Sequence, residues 1–103
     1  MDKTVIKAGV IDQIKTVYDP EIPVNIYELG LIYEVNVAES GKVDVVMTLT
    51  APACPAAEIL PAEVKEKALE VEGVNDAEVE VVFDPPWSKE MMSEEAMLEL
   101  GFM

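Results

Sequence analysis

The stretch that decides the fold runs from Thr48 to Glu58 and reads Thr-Leu-Thr-Ala-Pro-Ala-Cys-Pro-Ala-Ala-Glu. Leading into it, apolar residues recur at every second position, the period of a β-strand with one buried face: Val43, Val45, Met47 and Leu49. Pro52 ends that strand. Beyond it, apolar residues return at the spacing of one helix face: Leu60, Val64, Ala68 and Val71. The pattern predicts a strand, a loop and a helix, with the single cysteine, Cys54, in the loop.

Cys54 stands where a helix N-terminus is expected. If Pro55 takes the first helical position, where its missing N–H is not needed, Cys54 is the N-cap residue. A helix N-terminus stabilises a nearby negative charge by about 0.3 to 1 kcal/mol, and by up to about 2 kcal/mol when partly buried, although Glu58 opposes this. Lowering the pKa of the Cys54 thiol from about 8.5 to about 7.5 would make roughly a quarter of it thiolate at neutral pH. The alternative is a buried structural cysteine, the commoner role of a free thiol. The flanking prolines, which fix the loop, favour a functional cysteine.

Composition excludes several classes of function. The 103 residues, half of them apolar, suit one domain over 1–103 with a single core. Seven Lys, with no Arg and no His, face 21 Asp and Glu, so the formal net charge is −14. Such a chain has no basic face for nucleic acid or anionic membranes, and no Arg clamp for phosphate groups. Without His it also lacks Ser-His-Asp and Cys-His arrangements and imidazole metal ligands. We therefore expect a protein that is not an enzyme.

The expected location is the cytoplasm. One cysteine permits no internal disulfide, and we find neither an apolar targeting segment at the start nor a run long enough to cross a bilayer. Residues 51–103 carry most of the acidity, with 13 Asp and Glu against three Lys. A solvated surface is the simpler interpretation of this half, and a docking surface for a basic partner is the alternative.

The first half of the chain predicts a helix, a stiff loop and a hairpin. An apolar stripe indicates a helix from about Lys3 to Tyr18, in which Gly9 makes the helix dependent on tertiary packing. The proline-rich segment 19–23 ends it. Asn25 to Glu28 has the spacing of a capping box, which predicts one helical turn closed by Gly30. Two strands follow, Leu31 to Val37 and the strand before Pro52, and the short glycine loop between them predicts an antiparallel hairpin. Leu31, Tyr33, Val35 and Val37 are expected on one face of the first strand.

The second half predicts a helix, a third strand and a short helical tail. Pro61 predicts a bend or a broken first turn in the helix after Pro55, and Gly73 is expected to close that helix. Alternation from Ala77 to Phe83 predicts the third strand. After the rigid turn 84–87, Ser88 and Ser93 are candidate N-caps. Trp87 is expected in the core, whereas the methionines fit either the core or a partner surface: Met91, Met92 and Met97.

These elements predict an α+β, two-layer domain. Its small mixed sheet consists of the β-hairpin plus the third strand, and two main helices cover it. The order along the chain is α-β-β-α-β-α.

Four motifs, in this order and at these intervals, resemble the SufT/PaaD-like (MIP18-type) family of iron-sulfur cluster assembly proteins: Asp19-Pro20-Glu21, Glu28-Leu29-Gly30-Leu31-Ile32, Thr50-x-x-x-Cys54-Pro55 and Asp84-Pro85-Pro86-Trp87. The resemblance covers nearly the whole chain. It implies an α+β fold and a role in the maturation of iron-sulfur proteins. Glu28 stands where the family usually has Asp, and Ala56 where a larger apolar residue is common. The chain ends soon after the Trp motif without a cysteine-rich tail, which favours the short SufT-like branch.

The resemblance also implies roles for particular residues. Cys54 would be the reactive or metal-contacting residue, Asp19 and Glu21 would border it, and Thr50 and Pro55 would shape its loop. An iron-sulfur cluster usually needs four protein ligands, mainly thiolates. One chain is therefore not expected to hold a cluster stably, and a symmetric homodimer, a scaffold or a client would supply the missing ligands.

The leading hypothesis is a non-enzymatic factor that transfers or targets iron or a labile cluster through Cys54. Its partners would be the iron-sulfur assembly machinery or client apoproteins. Two alternatives stay open. In one, a thiol enzyme uses Cys54 as nucleophile with Asp19 or Glu21 as base, although carboxylates are weak bases for a thiol. In the other, the protein is an adaptor and Cys54 is structural.

Overall fold

The computed structural model describes residues 2–18, 24–49 and 56–101, and the side chains of these except residues 56–58. The elements are α1 (Lys3–Ile14), β1 (Ile32–Val37), β2 (Lys42–Met47), α2 (Ala56–Leu69), β3 (Asp76–Val81), a 3-10 turn (Lys89–Met91) and α3 (Glu94–Glu99). This order confirms the predicted α-β-β-α-β-α arrangement.

The sheet is mixed, with β2 in the centre. β1 pairs with β2 antiparallel, and β3 pairs with β2 parallel in the register Val43 to Ala77 and Met47 to Val81. α2 provides the connection that a parallel pair requires. The predicted hairpin plus a third strand is therefore confirmed.

Both long helices cover the same face of the sheet. α1 packs on β1 and α2, and α2 packs on β3. The core is built by inward residues of the three strands and the three α-helices. Its fully buried members include Val10, Ile14, Val43, Val45, Met47, Leu60 and Val64. A Cβ on Gly9 would lie 2.9 Å from Val71 Cγ1. The close approach of α1 to the end of α2 thus accounts for a glycine inside a helix.

α1 is shorter than its sequence predicts. It ends at Ile14, although Val17 is fully buried like the rest of the stripe. The backbone of residues 17–18 is engaged elsewhere: Tyr18 forms a bridge with Asn25, and the Ile26 amide donates to the Val17 carbonyl at 2.9 Å. This tertiary pairing replaces the last helical turn.

The predicted turn at Asn25 is confirmed. Asn25 Oδ1 accepts from the Glu28 amide at 2.9 Å, and the Leu31 amide donates to the Ile26 carbonyl at 3.1 Å. Gly30 closes the turn with φ +84°, a left-handed conformation that favours glycine.

Two details of the regular elements differ from expectation. α2 is one continuous helix through Pro61, so the alternative of a broken first turn is wrong and the bend stays a prediction. The helix ends at Leu69, before the turn that contains Gly73. β1 is irregular between Ile32 and Glu34, so Tyr33 leaves the expected alternation. Its hydroxyl instead donates to the Pro85 carbonyl at 2.7 Å.

The C-terminal segment, residues 83–101, packs back onto the turn at residues 25–31. Met92 and Ala96 are buried, and Trp87 packs against the core with its indole N–H donating to the Leu29 carbonyl at 2.7 Å. Ser93 caps α3 by accepting from the Ala96 amide, whereas Ser88 makes no side-chain cap. In the described ranges, no helix is long and apolar enough to cross a membrane.

Candidate functional site

The predicted site residues all lie outside the described residues: Asp19, Glu21, Thr50, Cys54 and Pro55. Their roles remain predictions. The structure does describe what flanks them, namely the end of β2 and the start of α2 on either side of residues 50–55, and the bridge between Tyr18 and Asn25 on either side of residues 19–23.

The flanks of residues 50–55 lie at one edge of the sheet. β2 and β3 are parallel, so their carboxyl ends share this edge, and α2 begins there because it returns antiparallel to them. The edge also collects the free N–H groups of the first turn of α2.

Neighbouring backbone holds the end of β2 on both sides. The Thr48 amide donates to the Leu31 carbonyl and the Val82 amide to the Met47 carbonyl, each at 2.8 Å. Leu49 is 3% exposed. Residues 50–55 thus start from an anchored strand end.

Thr48 is the polar residue that sequence reasoning missed. Its alternation places it on the less buried face, yet it is fully buried, and its amide donates to the Leu31 carbonyl. Among the described residues, its Oγ1 has no hydrogen-bond partner. An unpartnered buried hydroxyl costs about 1 to 3 kcal/mol by mutational measures. The strand end therefore holds a spare donor and acceptor two positions before residue 50.

The turn at residues 25–31 joins the flanks of the two predicted loops. Asn25 follows residues 19–23 and pairs with Tyr18, while Leu31 pairs with Thr48. The C-terminal segment holds this turn from outside: the Ser93 amide donates to the Glu28 carbonyl at 2.8 Å, beside the Trp87 bond. Sequence reasoning placed Trp87 in the core but gave no signal for these contacts, because they join distant segments.

The described side chains do not assemble a metal centre of their own. Within these ranges, no group of three or more His, Cys, Asp or Glu residues is arranged to hold a metal ion. The soft ligand suited to iron-sulfur chemistry is a thiolate, and the chain contains one cysteine.

Comparison with known proteins gives a consistent result. A family model described as "Iron-sulfur cluster assembly protein" matches residues 7–81. A curated relative from Porphyromonas gingivalis, "Fe-S protein maturation auxiliary factor", is 55% identical over 91% of this chain and 90% of its own length. "Fe-S protein maturation auxiliary factor SufT" from Staphylococcus aureus is 44% identical over 82% of this chain and 97% of its own. The crystal structure of a domain of unknown function from Bacillus anthracis is 37% identical, with a TM-score of 0.90 over 98% of this chain and 96% of that one.

Proposed function

The chain belongs to the iron-sulfur cluster assembly protein family, and from this premise we propose that it serves the maturation of iron-sulfur proteins by passing iron or a labile cluster to client apoproteins through Cys54. The observation that carries the proposal is the likeness to maturation factors over nearly the full length of both chains. The names of these relatives describe auxiliary factors, which supports a role without turnover of a substrate.

The count of ligands supports transfer over storage. A cluster usually requires four protein ligands, and this chain supplies one thiolate. Two Cys54 thiolates from a symmetric dimer, or one Cys54 together with ligands of a client, would complete the set. A cargo held by few ligands leaves readily when a client offers more thiolates.

The surroundings of residues 50–55 support Cys54 as the contact. The anchored end of β2 and the amino end of α2 border this segment, and the N–H groups of a helix N-terminus favour a thiolate. The buried Thr48 hydroxyl, unpartnered among the described residues, leaves a free donor and acceptor at the strand end that precedes this segment. Asp19 and Glu21 are proposed to border the cysteine, and Thr50 and Pro55 to shape its loop.

The test is anaerobic reconstitution with ferrous iron and sulfide, with iron and labile sulfide counted per chain and the molecular mass measured in parallel. We expect uptake at a fixed stoichiometry, its loss in Cys54→Ser, and delivery of the cargo to an apo-ferredoxin. A matched control moves the thiol: Cys54→Ser combined with Ser40→Cys keeps one cysteine, now in the exposed turn between β1 and β2.

This control distinguishes iron uptake at a specific site from uptake by any exposed thiol. We expect the relocated cysteine to restore neither uptake nor delivery. Equal delivery by native protein and Cys54→Ser would reject the role of Cys54, and delivery restored by Ser40→Cys would reject any role of its surroundings.

A further inference from the structure

The face of the sheet opposite the two helices carries an apolar groove at the same edge as residues 50–55. The groove has a volume of about 670 Å³ and is lined mainly by apolar side chains of β1, β2 and the segment after β3: Ile32, Tyr33, Val46, Val82, Pro85 and Met91. Both long helices pack on the other face of the sheet. An open apolar groove on an otherwise charged surface is a feature of binding sites.

Carboxylates surround this groove. Glu34 and Asp84 are part of its lining, and both are exposed. The register places Val46 between Glu34 on one neighbouring strand and Glu80 on the other. The apolar centre is therefore flanked by negative charge on both sides.

A second groove, of about 570 Å³, adjoins the first at Val46 and is acidic. Its lining includes Asp44, Glu78 and Glu80, between β2 and β3. Asp44 and Glu78 are paired in the register, an arrangement of like charges that disfavours the sheet. Lys42 relieves it in part, with Nζ 4.0 Å from Asp44 and 3.5 Å from Glu78. The negative charge that remains makes this groove attractive to cationic side chains.

We propose that these two grooves together form a docking surface for a protein segment that combines apolar side chains with Lys or Arg. The apolar side chains would occupy the groove around Val46 and Val82. The basic ones would pair with Glu34 at the margin of that groove and with the carboxylates of the acidic groove between β2 and β3. Charge complementarity selects this occupant. A second copy of the chain would bring the same carboxylates against each other at a net charge of −14 per chain, which opposes association through this face.

The location links this surface to the proposed function, on which its biological meaning rests. Val46 lies two positions before Thr48, and Val82 follows the end of β3, so the groove lies at the edge from which residues 50–55 depart. A client or scaffold bound there lies beside the strand end that leads to residue 50, and under the proposed function this raises the local concentration of its ligands for Cys54.

The first experiment measures binding of a short labelled peptide in which Leu and Trp alternate with Lys and Arg, so that its apolar and basic side chains match the two grooves. Two control peptides replace either Leu and Trp with Ser, or Lys and Arg with Glu. We expect the first peptide alone to bind strongly, with amide shifts in NMR spectra concentrated at Ile32, Val46 and Val82. Equal binding of the Ser control, or shifts spread over all acidic surfaces, would overturn the proposal.

Protein variants locate the site. Glu34→Lys reverses a charge in the apolar groove, and Glu66→Lys makes the same change on the exposed surface of α2. We expect Glu34→Lys to weaken the peptide by about tenfold, since close charge pairs at interfaces couple strongly, and Glu66→Lys to have much less effect. Val46→Ser, which removes the apolar centre without adding charge, should weaken it similarly. Equal effects of Glu34→Lys and Glu66→Lys would reject the groove in favour of a general effect of net charge.

The two proposals fail separately. Cys54→Ser is expected to leave peptide binding unchanged, and Glu34→Lys is expected to leave iron uptake unchanged while slowing delivery to a client. If the native protein shows no Cys54-dependent iron uptake but binds the peptide in the groove, the proposed function alone is rejected. Intact uptake without groove-specific binding rejects the docking surface alone.

Discussion

Gly30 shows how a single residue couples two distant segments. Its φ of +84° favours glycine, and a Cβ at this position would overlap the carbonyl group of Met91. We predict that Gly30→Ala lowers the free energy of unfolding by more than about 2 kcal/mol, because the left-handed conformation costs about 1 kcal/mol and the clash with backbone adds to it. Urea unfolding followed by circular dichroism measures this loss.

Gly101 provides the matched control. It has φ +78°, and nothing lies within 4 Å of the Cβ that Ala would add. Gly101→Ala should therefore show the conformational cost alone, about 1 kcal/mol or less near a chain end. Equal losses in the two variants would mean that the contact between Gly30 and Met91 contributes nothing.

Of the two features of Gly30, its left-handed conformation and its contact with Met91, only the conformation is predictable from the local sequence. A turn that begins at Asn25 and needs a C-terminal glycine predicts the conformation of Gly30. The contact with Met91 has no local signal, since it depends on how residues 83–101 pack. Thr48 is similar: alternation predicts a half-exposed strand residue, and only the neighbours of β2 bury it. Cys54 is identified by its chemistry, as the single thiol of the chain, rather than by packing.

At the scale of elements, the C-terminal segment functions as part of the core. Met92 is 5% exposed, whereas Leu98 is 61% exposed. We predict that Met92→Ala lowers the free energy of unfolding by about 2 to 4 kcal/mol, because it removes buried apolar volume and leaves a cavity. Thermal unfolding at equal protein concentration checks this value.

Leu98→Ala removes a comparable apolar side chain from the same segment and should change stability by less than about 0.5 kcal/mol. A small loss in Met92→Ala would show that the segment docks too weakly to support the turn at residues 25–31.

Periodicity predicted the elements well where it is local and strong. The alternation of β2 and the helix spacing of α2 depend on residues close in sequence, and both elements were found. The end of α1, the irregularity at Tyr33 and the burial of Met92 depend on contacts with segments far along the chain. A periodic pattern does not contain that information.

The amino-acid composition determines the net charge of the molecule, but it does not determine where the charges lie. The net charge of −14 is fixed by composition, whereas the carboxylates on the open face of the sheet follow from the strand register. The ion pairs found among the described residues, at 3.5 to 4.0 Å, all involve exposed side chains. Such pairs contribute little to stability, so repulsion dominates the electrostatics.

We therefore predict that the protein becomes more stable as NaCl is added. The molecule extends 40 × 26 × 22 Å, so at about 0.01 M salt, where the Debye length is about 30 Å, charges across most of it repel one another. At about 0.3 M the screening length falls well below these dimensions, and the repulsion that favours the expanded chain is largely removed. Urea midpoints at constant pH should rise through this range.

Glu80→Gln, which removes one carboxylate from the open face, should be more stable than native protein at low salt and differ less at high salt. Midpoints that fall with salt would mean that attractive pairs, rather than the excess of carboxylates, govern the folded state.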